Sequence, residues 1–529
     1  MAATIDEKYR AISPAEFFLK YREIAGFSNP ARAIYQAVRE LVENALDATD
    51  AHGILPNIKI TIQKADPEQN FYKITVEDNG IGVPPHIVPE AFGRVLFSSK
   101  YILRQTRGMY GLGVKMAVLY AQMTTGRPVE VITSKPGLKF IYQFKLRIDI
   151  NKNMPIVVER STIRKNRDWH GTIVSLVLEG DWSKARSRVL EYIKRTAIAT
   201  PYANITLITP ENNIIFYERV VDKLPKPPKE VKPHPYGIDL EVLKRIVVNS
   251  KYSTIFDLLI HSFQSVGEVT AKNILEKASI DPSKDPKKLS EHELLKLVDA
   301  MKNYDKYRPP KADALSPLGS DIIKAGLKRM YKPEFVDAVT RRPSTYQGHP
   351  FIIEAGIAYG GKTPVSEQDK PIVLRYANKI PLLYDEGSDV VTLVVKQDIN
   401  WSNYLVELPA PILVLVHICS TKIPFKGVGK ESIADVPEIR REIKLAISEV
   451  ARRLRRFLSK KRKEEEIRKK VVNIAKYVPE IARALAIISN GHKLDEKKLV
   501  DKIIDIIVAR TGLSPNDVKR VVENVEIGT

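Results

Sequence analysis

Residues 37–50 constrain the fold of this chain more than any other segment, because they combine an apolar helix face with a dense polar cluster. Apolar residues recur there at spacings of three and four, which predicts a helix that packs inward; they are Ala37, Leu41, Ala45 and Ala48. Glu40 and Asn44 are four residues apart and therefore stack one turn above the other, with Glu43 and Asp47 nearby. Because like charges destabilise each other, this cluster indicates either a solvated helix face or a site that holds a divalent cation and a water.

Two alternating segments, residues 58–62 and 72–76, follow this helix and predict half-buried strands. The second strand runs directly into Asp78, Gly80 and Gly82. Glycines at a strand end allow a ligand to approach the backbone closely, and Asp78 supplies a carboxylate there. An ordinary Asp-Asn-Gly turn is the alternative interpretation.

Three glycines, Gly108, Gly111 and Gly113, precede an apolar helix predicted at residues 116–123. Exposed backbone N–H groups at a helix N-terminus, together with the cation of Lys115, are typical of a phosphate-binding loop. The loop is not a Walker A motif, because Val114 stands where that motif has lysine. It is not the dinucleotide fingerprint either, since that motif requires a third glycine where this chain has methionine. A flexible lid or hinge is the alternative.

A later glycine-led segment, residues 170–176, predicts another strand, and further strands are expected around residues 140–150. Thr172 lies near the start of the glycine-led strand, where its hydroxyl could hydrogen-bond a buried polar group. A surface strand without a ligand fits the same pattern.

The overall charge favours a polyanionic partner. Lys and Arg number 84 against 63 Asp and Glu, a formal net charge of +21, which suits DNA and would also suit an acidic protein surface or high solubility. The lone Cys419 cannot form an internal disulfide, so we expect a reducing cytoplasm. No run approaches the ~20 apolar residues needed to span a bilayer, so we expect a soluble protein without a membrane partner.

The second half of the chain changes character after a proline-rich linker at residues 224–235. Short helices are predicted at residues 237–305. Their lysines could either contact DNA or lie exposed to solvent on a helical spacer. From residue 310 onward, apolar segments at 351–358, 372–376 and 412–419 predict strands. A long amphipathic helix follows, from about 436 to past 465, with a basic face that fits DNA contact, partner docking or solvation.

These motifs, in this order, resemble the ATP-binding Bergerat fold of the GHKL superfamily. The chain as a whole is similar to the B-subunit family of archaeal type IIB DNA topoisomerases, including residues 13–18 and 92–100. The resemblance implies a multidomain α+β protein: a GHKL α/β sandwich, a helix-two-turns-helix insert and a transducer with a long stalk helix. Its expected boundaries are residues 1–228, 229–308, 309–470 and a C-terminal partner-binding region at 471–529.

The resemblance also assigns roles in ATP binding and hydrolysis. Glu40 would be the general base, Asn44 would hold Mg²⁺, and Asp78, supported by Thr172, would accept a hydrogen bond from the adenine amino group. Gly80 and Gly82 belong to the same nucleotide motif. The residues expected to close over the phosphates are Ser99, Lys100, Gly108, Met109, Tyr110, Gly111, Leu112, Gly113, Val114 and Lys115.

A second catalytic contribution is expected from the transducer. The glycine-hinged loop after the strand at 412–419 carries Lys422, Lys426 and Lys430. By similarity to the family, Lys430 is assigned to the γ-phosphate, where it would report whether ATP or ADP is bound. A solvated basic loop is the alternative.

The implied function is the ATPase component of a type II topoisomerase, which dimerises on ATP binding and drives passage of one DNA duplex through another. The chain contains no Asp-x-Asp motif for a metal-dependent cleavage site. The resemblance therefore implies a separate A subunit in an A₂B₂ assembly. The chain has 22 tyrosines, so the sequence alone does not exclude a tyrosine nucleophile for DNA cleavage in this chain. A MutL-like repair ATPase and an ATP-dependent chaperone or scaffold are the alternative functions.

Overall fold

The computed structural model describes residues 11–98, 103–108, 111–427, 431–488, 495–511 and 514–526 of the 529-residue chain. The chain divides into two compact units. The first reaches Asn400 and adds Leu408–Val450, and the second contains Trp401–Glu407 and the chain from Ala451 onward.

The first unit begins with a mixed sheet of eight described strands covered by helices. Its order is β5-β4-β3-β6-β2-β1-β7-β8. The strands are β1 Asn57–Lys64, β2 Phe71–Asp78, β3 Val129–Ser134, β4 Phe140–Asp149, β5 Met154–Arg164, β6 Gly171–Glu179, β7 Asn204–Ile208 and β8 Ile214–Tyr217. The helices are α1 Pro14–Lys20, α2 Pro30–Asp50, α3 Val88–Gly93, α4 Gly113–Thr125 and α5 Trp182–Ala199. The strands predicted from alternation are thereby confirmed.

Helix α2 packs its buried face into the core of this sheet. It begins at Pro30, earlier than the apolar spacing predicted. Asn29 caps it, with its side-chain oxygen accepting from the Arg32 N–H at 2.9 Å, and Pro30 occupies the first turn. Ala37, Leu41 and Ala45 are buried against the core. Strand β1 alternates between buried and exposed residues, so one face of the sheet packs against the helices.

A helical segment follows the proline-rich linker and has a hydrophobic core of its own. Its helices are α6 Leu240–Val248, α7 Ile255–Ser262, α8 Glu268–Ala278 and α9 Glu291–Lys302. This confirms the short helices predicted at 237–305. Helix α9 begins with a complete capping box between Ser290 and Glu293.

The second sheet lies in the remainder of the first unit and contains six described strands in the path β10-β11-β14-β12-β13, with β9 paired to β11. The strands are β9 Phe335–Thr340, β10 Ser344–Tyr346, β11 His349–Tyr359, β12 Ile372–Ala377, β13 Ile380–Leu382 and β14 Ile412–Ser420. Two helices accompany them, α10 Ser320–Tyr331 and α11 Val390–Leu393. Every residue of β14 is buried, as its continuous apolar run predicted.

The long amphipathic helix is confirmed as α12 Pro437–Ala475, 39 residues in length. Within the first unit, its Ile439, Ile443, Ile447 and Val450 are buried. The second unit continues with α13 Val478–Ile488, α14 Glu496–Thr511 and α15 Pro515–Glu526, which share a small apolar core. In the described part of the chain, no helix combines the length and apolarity that crossing a membrane requires.

The four expected domain boundaries stay predictions, because the two compact units are larger groupings. The first unit takes in the GHKL-like sheet, the helical segment and the second sheet together.

Candidate functional site

A cavity of about 670 Å³ opens beside α2 in the first unit. Ligand pockets commonly measure roughly 300–1,000 Å³. The predicted site residues that line it come from four separate segments of the chain: Glu40, Asn44, Asp78, Gly82, Gly108, Gly111, Leu112, Gly113, Val114, Lys115 and Thr172. Gly80 is buried and donates its N–H to Asp78 Oδ1. The predicted residues Ser99, Lys100, Met109, Tyr110 and Lys430 lie outside the described residues.

Glu40 occupies the boundary between α2 and the first turn of α4. Gln36, one turn earlier on α2, donates from Nε2 to Glu40 Oε1 at 2.8 Å and orients the carboxylate. Gly113 begins α4, and a Cβ there would overlap the Glu40 carboxylate. Only glycine therefore allows Glu40 to lie at the positive end of the α4 dipole. Asn44 lines the cavity one turn further along α2.

The other two acids of the α2 cluster are neutralised by arginines. Arg39 Nε lies 2.8 Å from Glu43 Oε1, with both side chains buried, and Arg107 Nη1 lies 3.1 Å from Asp47 Oδ1. The sequence suggested that a cation would relieve this crowding, and arginine does so for Glu43 and Asp47. Among the described residues, no group of three or more His, Cys, Asp and Glu side chains is placed to hold a metal ion. The metal role of Asn44 stays a prediction.

Asp78 is buried in the cavity wall at the end of β2. Burial raises the pKa of its carboxyl to about 7, although hydrogen bonds from the Gly80 and Thr172 backbone oppose the shift. The Gly80 N–H lies 2.8 Å from Asp78 Oδ1, and Asp78 pairs with Thr172 across the β2–β6 ladder. A polar group on a ligand in this cavity would therefore meet a carboxyl held in a fixed position.

Gly82 follows at φ 69° and permits a close backbone approach. A Cβ there would overlap the Ser134 carbonyl at the end of β3. This conformation is open to glycine and strained for residues with side chains. Gly80 and Gly82 thus follow directly after β2 in a tightly packed segment, and the Asp-Asn-Gly turn stays open as an alternative.

Glu431, the residue after Lys430, lies next to α2. It is buried and lies 3.2 Å from Arg32 Nη2 and 3.6 Å from Arg39 Nη1. Burial raises the pKa of the Glu431 carboxyl, and the two arginines oppose that shift. Lys422 and Lys426 are exposed. The choice of Lys430 among the three lysines stays a prediction.

Several cavity residues escaped the sequence analysis. Arg107 is buried between Asp47 and Asp50, and its Nη2 lies 2.6 Å from Asp50 Oδ2. Asn378 and Lys379, from the turn between β12 and β13, line the same cavity. Their position between two short apolar segments was a hairpin signal, but nothing in the spacing could place that hairpin beside residues roughly 300 positions earlier.

Curated relatives match this chain along nearly its whole length. A protein of Sulfurisphaera tokodaii, named as the B subunit of type 2 DNA topoisomerase 6, is 54% identical over 520 residues, covering 97% of each chain. The chain belongs to the topoisomerase 6 B-subunit family. Family members from Metallosphaera sedula and Saccharolobus shibatae are also 54% identical and cover 97% and 95% of this chain, respectively, and 97% of their own lengths.

Two family models match parts of the chain. Residues 29–149 match the model described as histidine kinase-, DNA gyrase B- and HSP90-like ATPase. Residues 310–470 match the transducer of the topoisomerase VI B subunit. The first model covers α2, Asp78 and the α4 N-terminus, and the second covers the second sheet. Membership of the topoisomerase 6 B-subunit family thus agrees with both the GHKL ATPase fold and the transducer expected from the sequence.

One solved structure similar to this chain is the ATPase region of Saccharomyces cerevisiae topoisomerase II. It covers 84% of this chain and 99% of its own, at 13% identity and a TM-score of 0.39. A likeness this weak carries no argument about the site.

Proposed function

We propose that this chain is the ATP-binding and ATP-hydrolysing component of a type II DNA topoisomerase. The observation that carries the proposal is the convergence of Glu40, Asn44, Asp78 and the α4 N-terminus on one cavity. The size of the cavity suits a nucleotide. Membership of the topoisomerase 6 B-subunit family favours this function over the MutL-like repair ATPase and the chaperone or scaffold.

The wall around Asp78 suits the adenine end of ATP. In its ionised form, Asp78 accepts a hydrogen bond from the adenine amino group, and Thr172 holds the opposite strand in register. Burial makes this hydrogen bond stronger than it would be in water. Gly82 keeps the neighbouring backbone close to the ring.

The opposite end of the cavity suits the phosphates. The N–H groups of the first turn of α4 and the helix dipole favour anions, and Lys115 adds a positive charge. Mg²⁺, when bound, neutralises phosphate charge, and the Asn44 amide oxygen is a suitable ligand for it. Ser99, Lys100, Met109 and Tyr110 complete the phosphate loop, and Lys430 approaches from the transducer.

Glu40 acts as the general base in this proposal. Its carboxylate is held by Gln36 and lies beside Gly113 at the phosphate end of the cavity. From this position it accepts a proton from the attacking water and orients that water toward the γ-phosphate. Positioning and charge stabilisation supply most of the catalysis in such phosphoryl transfers.

The wider assembly follows from the family. We propose that two copies close on ATP binding and reopen after hydrolysis, and that closure drives DNA strand passage through a separate A subunit in an A₂B₂ assembly. The net charge of +21 supports contact with duplex DNA. A cytoplasmic location is supported by the single cysteine, Cys419, which is free and buried.

Sedimentation of the purified chain tests the nucleotide gate. It is run without nucleotide, with ADP and with a non-hydrolysable ATP analogue. We expect dimers only with the analogue. A monomer in all three conditions would contradict ATP-gated closure of the isolated chain, and a titration of the analogue would then show whether the cavity binds nucleotide at all.

A further inference from the structure

The second sheet reaches the cavity through one tight turn, Asn378–Lys379, which joins β12 to β13. Ala377 pairs with Ile380, so the loop has two residues, and both have positive φ, 48° and 71°. Positive φ at both positions is the geometry of a type I′ hairpin turn. Both residues are buried, and both line the cavity.

The turn is fixed firmly to its own sheet. The Asn378 amide exchanges two hydrogen bonds of 3.0 Å with the Ser420 backbone. The Lys379 N–H donates to His417 Nε2 at 3.0 Å, so Nδ1 of that ring carries the proton and donates to Glu354 Oε2 at 2.7 Å. His417 and Glu354 are fully buried. Because His417 and Ser420 belong to β14 and Glu354 belongs to β11, these hydrogen bonds fix the turn to the second sheet.

The opposite side of the turn holds the segment that precedes the phosphate loop. Asn378 Nδ2 donates to the Thr106 carbonyl at 3.3 Å, and Lys379 Nζ lies 3.5 Å from Asp50 Oδ2 at the end of α2. The same carboxylate oxygen receives Arg107 Nη2 at 2.6 Å and the Tyr202 hydroxyl at 2.9 Å. One buried acid therefore joins α2, residue 107 and the second sheet.

A second pair of hydrogen bonds runs in parallel. Gln105 Nε2 donates to the Ser316 carbonyl at 3.1 Å, and the Ser316 N–H donates to Gln105 Oε1 at 2.7 Å. Both residues are buried. Residues 105–107 are thus bonded to two points of the region that carries the second sheet, immediately before Gly108 and the phosphate loop.

We propose that Asn378 and Lys379 are positioning residues for ATP turnover, which couple residues 105–107 and the end of α2 to the second sheet. The inference rests on the proposed function. Nucleotide binding in the cavity moves residues 105–107, and the buried hydrogen bonds of the turn transmit that movement to β12 and β14. This route is separate from the ion pair between Glu431 and Arg32 near the start of α2.

Two variants break the link while keeping the backbone geometry. Asn378→Gly preserves the positive φ and removes the amide, and Lys379→Met preserves the stem and removes the ammonium group. Lys379→Arg restores a cation and serves as the rescue. The matched controls are Asn212→Gly and Lys332→Met, which also start from positive φ, 60° and 40°, at positions outside the cavity lining.

Hydrogen exchange of the full chain, with and without a non-hydrolysable ATP analogue, provides the main readout. In the wild type and both controls, we expect the analogue to slow exchange at residues 103–108 and also at 372–382. In the two variants, we expect the affinity for the analogue to stay within about threefold of wild type. The analogue should still slow exchange at residues 103–108 but should no longer slow it at 372–382. We expect kcat to fall about tenfold at unchanged KM, and Lys379→Arg to restore both properties.

The outcomes separate the two proposals. A wild type that binds no nucleotide would overturn the proposed function and this inference with it. A wild type that binds nucleotide, with protection at 372–382 surviving in both variants or absent from the wild type, would overturn this inference alone. If Asn378→Gly fails to fold, Lys379→Met decides the question by itself, with Lys379→Arg as its folded reference.

Discussion

At the residue scale, the proposed adenine-binding role of Asp78 requires an ionised carboxylate, which burial makes unfavourable for stability. The folded protein holds the Asp78 proton more tightly than the unfolded chain does, because burial raises the carboxyl pKa from 3.8 to about 7. The contribution of Asp78 to stability is therefore most favourable at low pH, falls as pH rises from about 4 to about 7, and is least favourable above 7. The full cost of ionisation is on the order of 4 kcal/mol.

Asp78→Asn should accordingly raise the melting temperature at pH 8 relative to wild type, by a margin that shrinks toward pH 4. The amide removes the buried charge and keeps an oxygen for the Gly80 N–H. Thermal unfolding across this pH range measures the effect, and Asp305→Asn, at an exposed position, is the control. An equal or lower melting temperature for Asp78→Asn at pH 8 would contradict the burial argument. The same variant should lose ATP binding, since an amide reverses part of the hydrogen-bond pattern offered to adenine.

Glu40→Ala tests the general base. ATP binding should persist, because in the proposed function the Glu40 carboxylate orients the attacking water and does not contact the adenine, while hydrolysis should fall by about 100-fold or more. Steady-state turnover and analogue titration measure the two properties, and Glu68→Ala, at an exposed turn, is the control. Undiminished turnover would remove Glu40 from this role.

At the element scale, α2 connects several parts of the first unit. One face is buried in the core, a second presents Glu40 and Asn44 to the cavity, and its two ends make ion pairs with the second-sheet region. Arg32 contacts Glu431 near the start of the helix, and Asp50 contacts Lys379 at its end. A shift of the second sheet would therefore act on the helix that carries Glu40 and Asn44.

The close contact between Glu40 of α2 and Gly113 of α4 leads to a prediction at the element scale. Gly113→Ala should lower ATP turnover by about tenfold or more with little loss of stability, because the added Cβ displaces the Glu40 carboxylate while alanine suits a helix. Gly267→Ala is the matched control, since that glycine precedes α8 with open space around its Cβ position. Turnover assays and thermal unfolding of both variants measure the effect. Equal turnover in the two would show that Glu40 tolerates displacement.

At the scale of the whole molecule, positive charge predicts strongly salt-dependent DNA binding. Each phosphate neutralised by Lys or Arg contributes roughly −0.9 to the slope of log affinity against log salt concentration. Fluorescence anisotropy with a duplex between roughly 50 and 200 mM salt should give a steep slope. A flat response would favour the chaperone or scaffold alternative, in which the net charge of +21 is incidental.

Much of the fold and part of the site could be predicted from local spacing. The periodicity of α2, the alternation of β1 and β2 and the apolar run of β14 act within one element, where neighbours along the chain are neighbours in space. The same holds for the pairing of Glu40 with Asn44 on one helix face. These features depend only on interactions between residues that are close together in the sequence.

The partners of each charge were decided only by the tertiary structure. Glu43 and Asp47 looked like members of one acidic cluster, yet Arg39 neutralises the first and Arg107 the second. Asn378 and Lys379 reach the cavity from far along the chain. Such contacts depend on how two sheets and a helix pack together, which the local sequence does not specify. Burial then makes each ion pair important for stability, because a charge that is removed from water is costly unless a partner inside the protein compensates it.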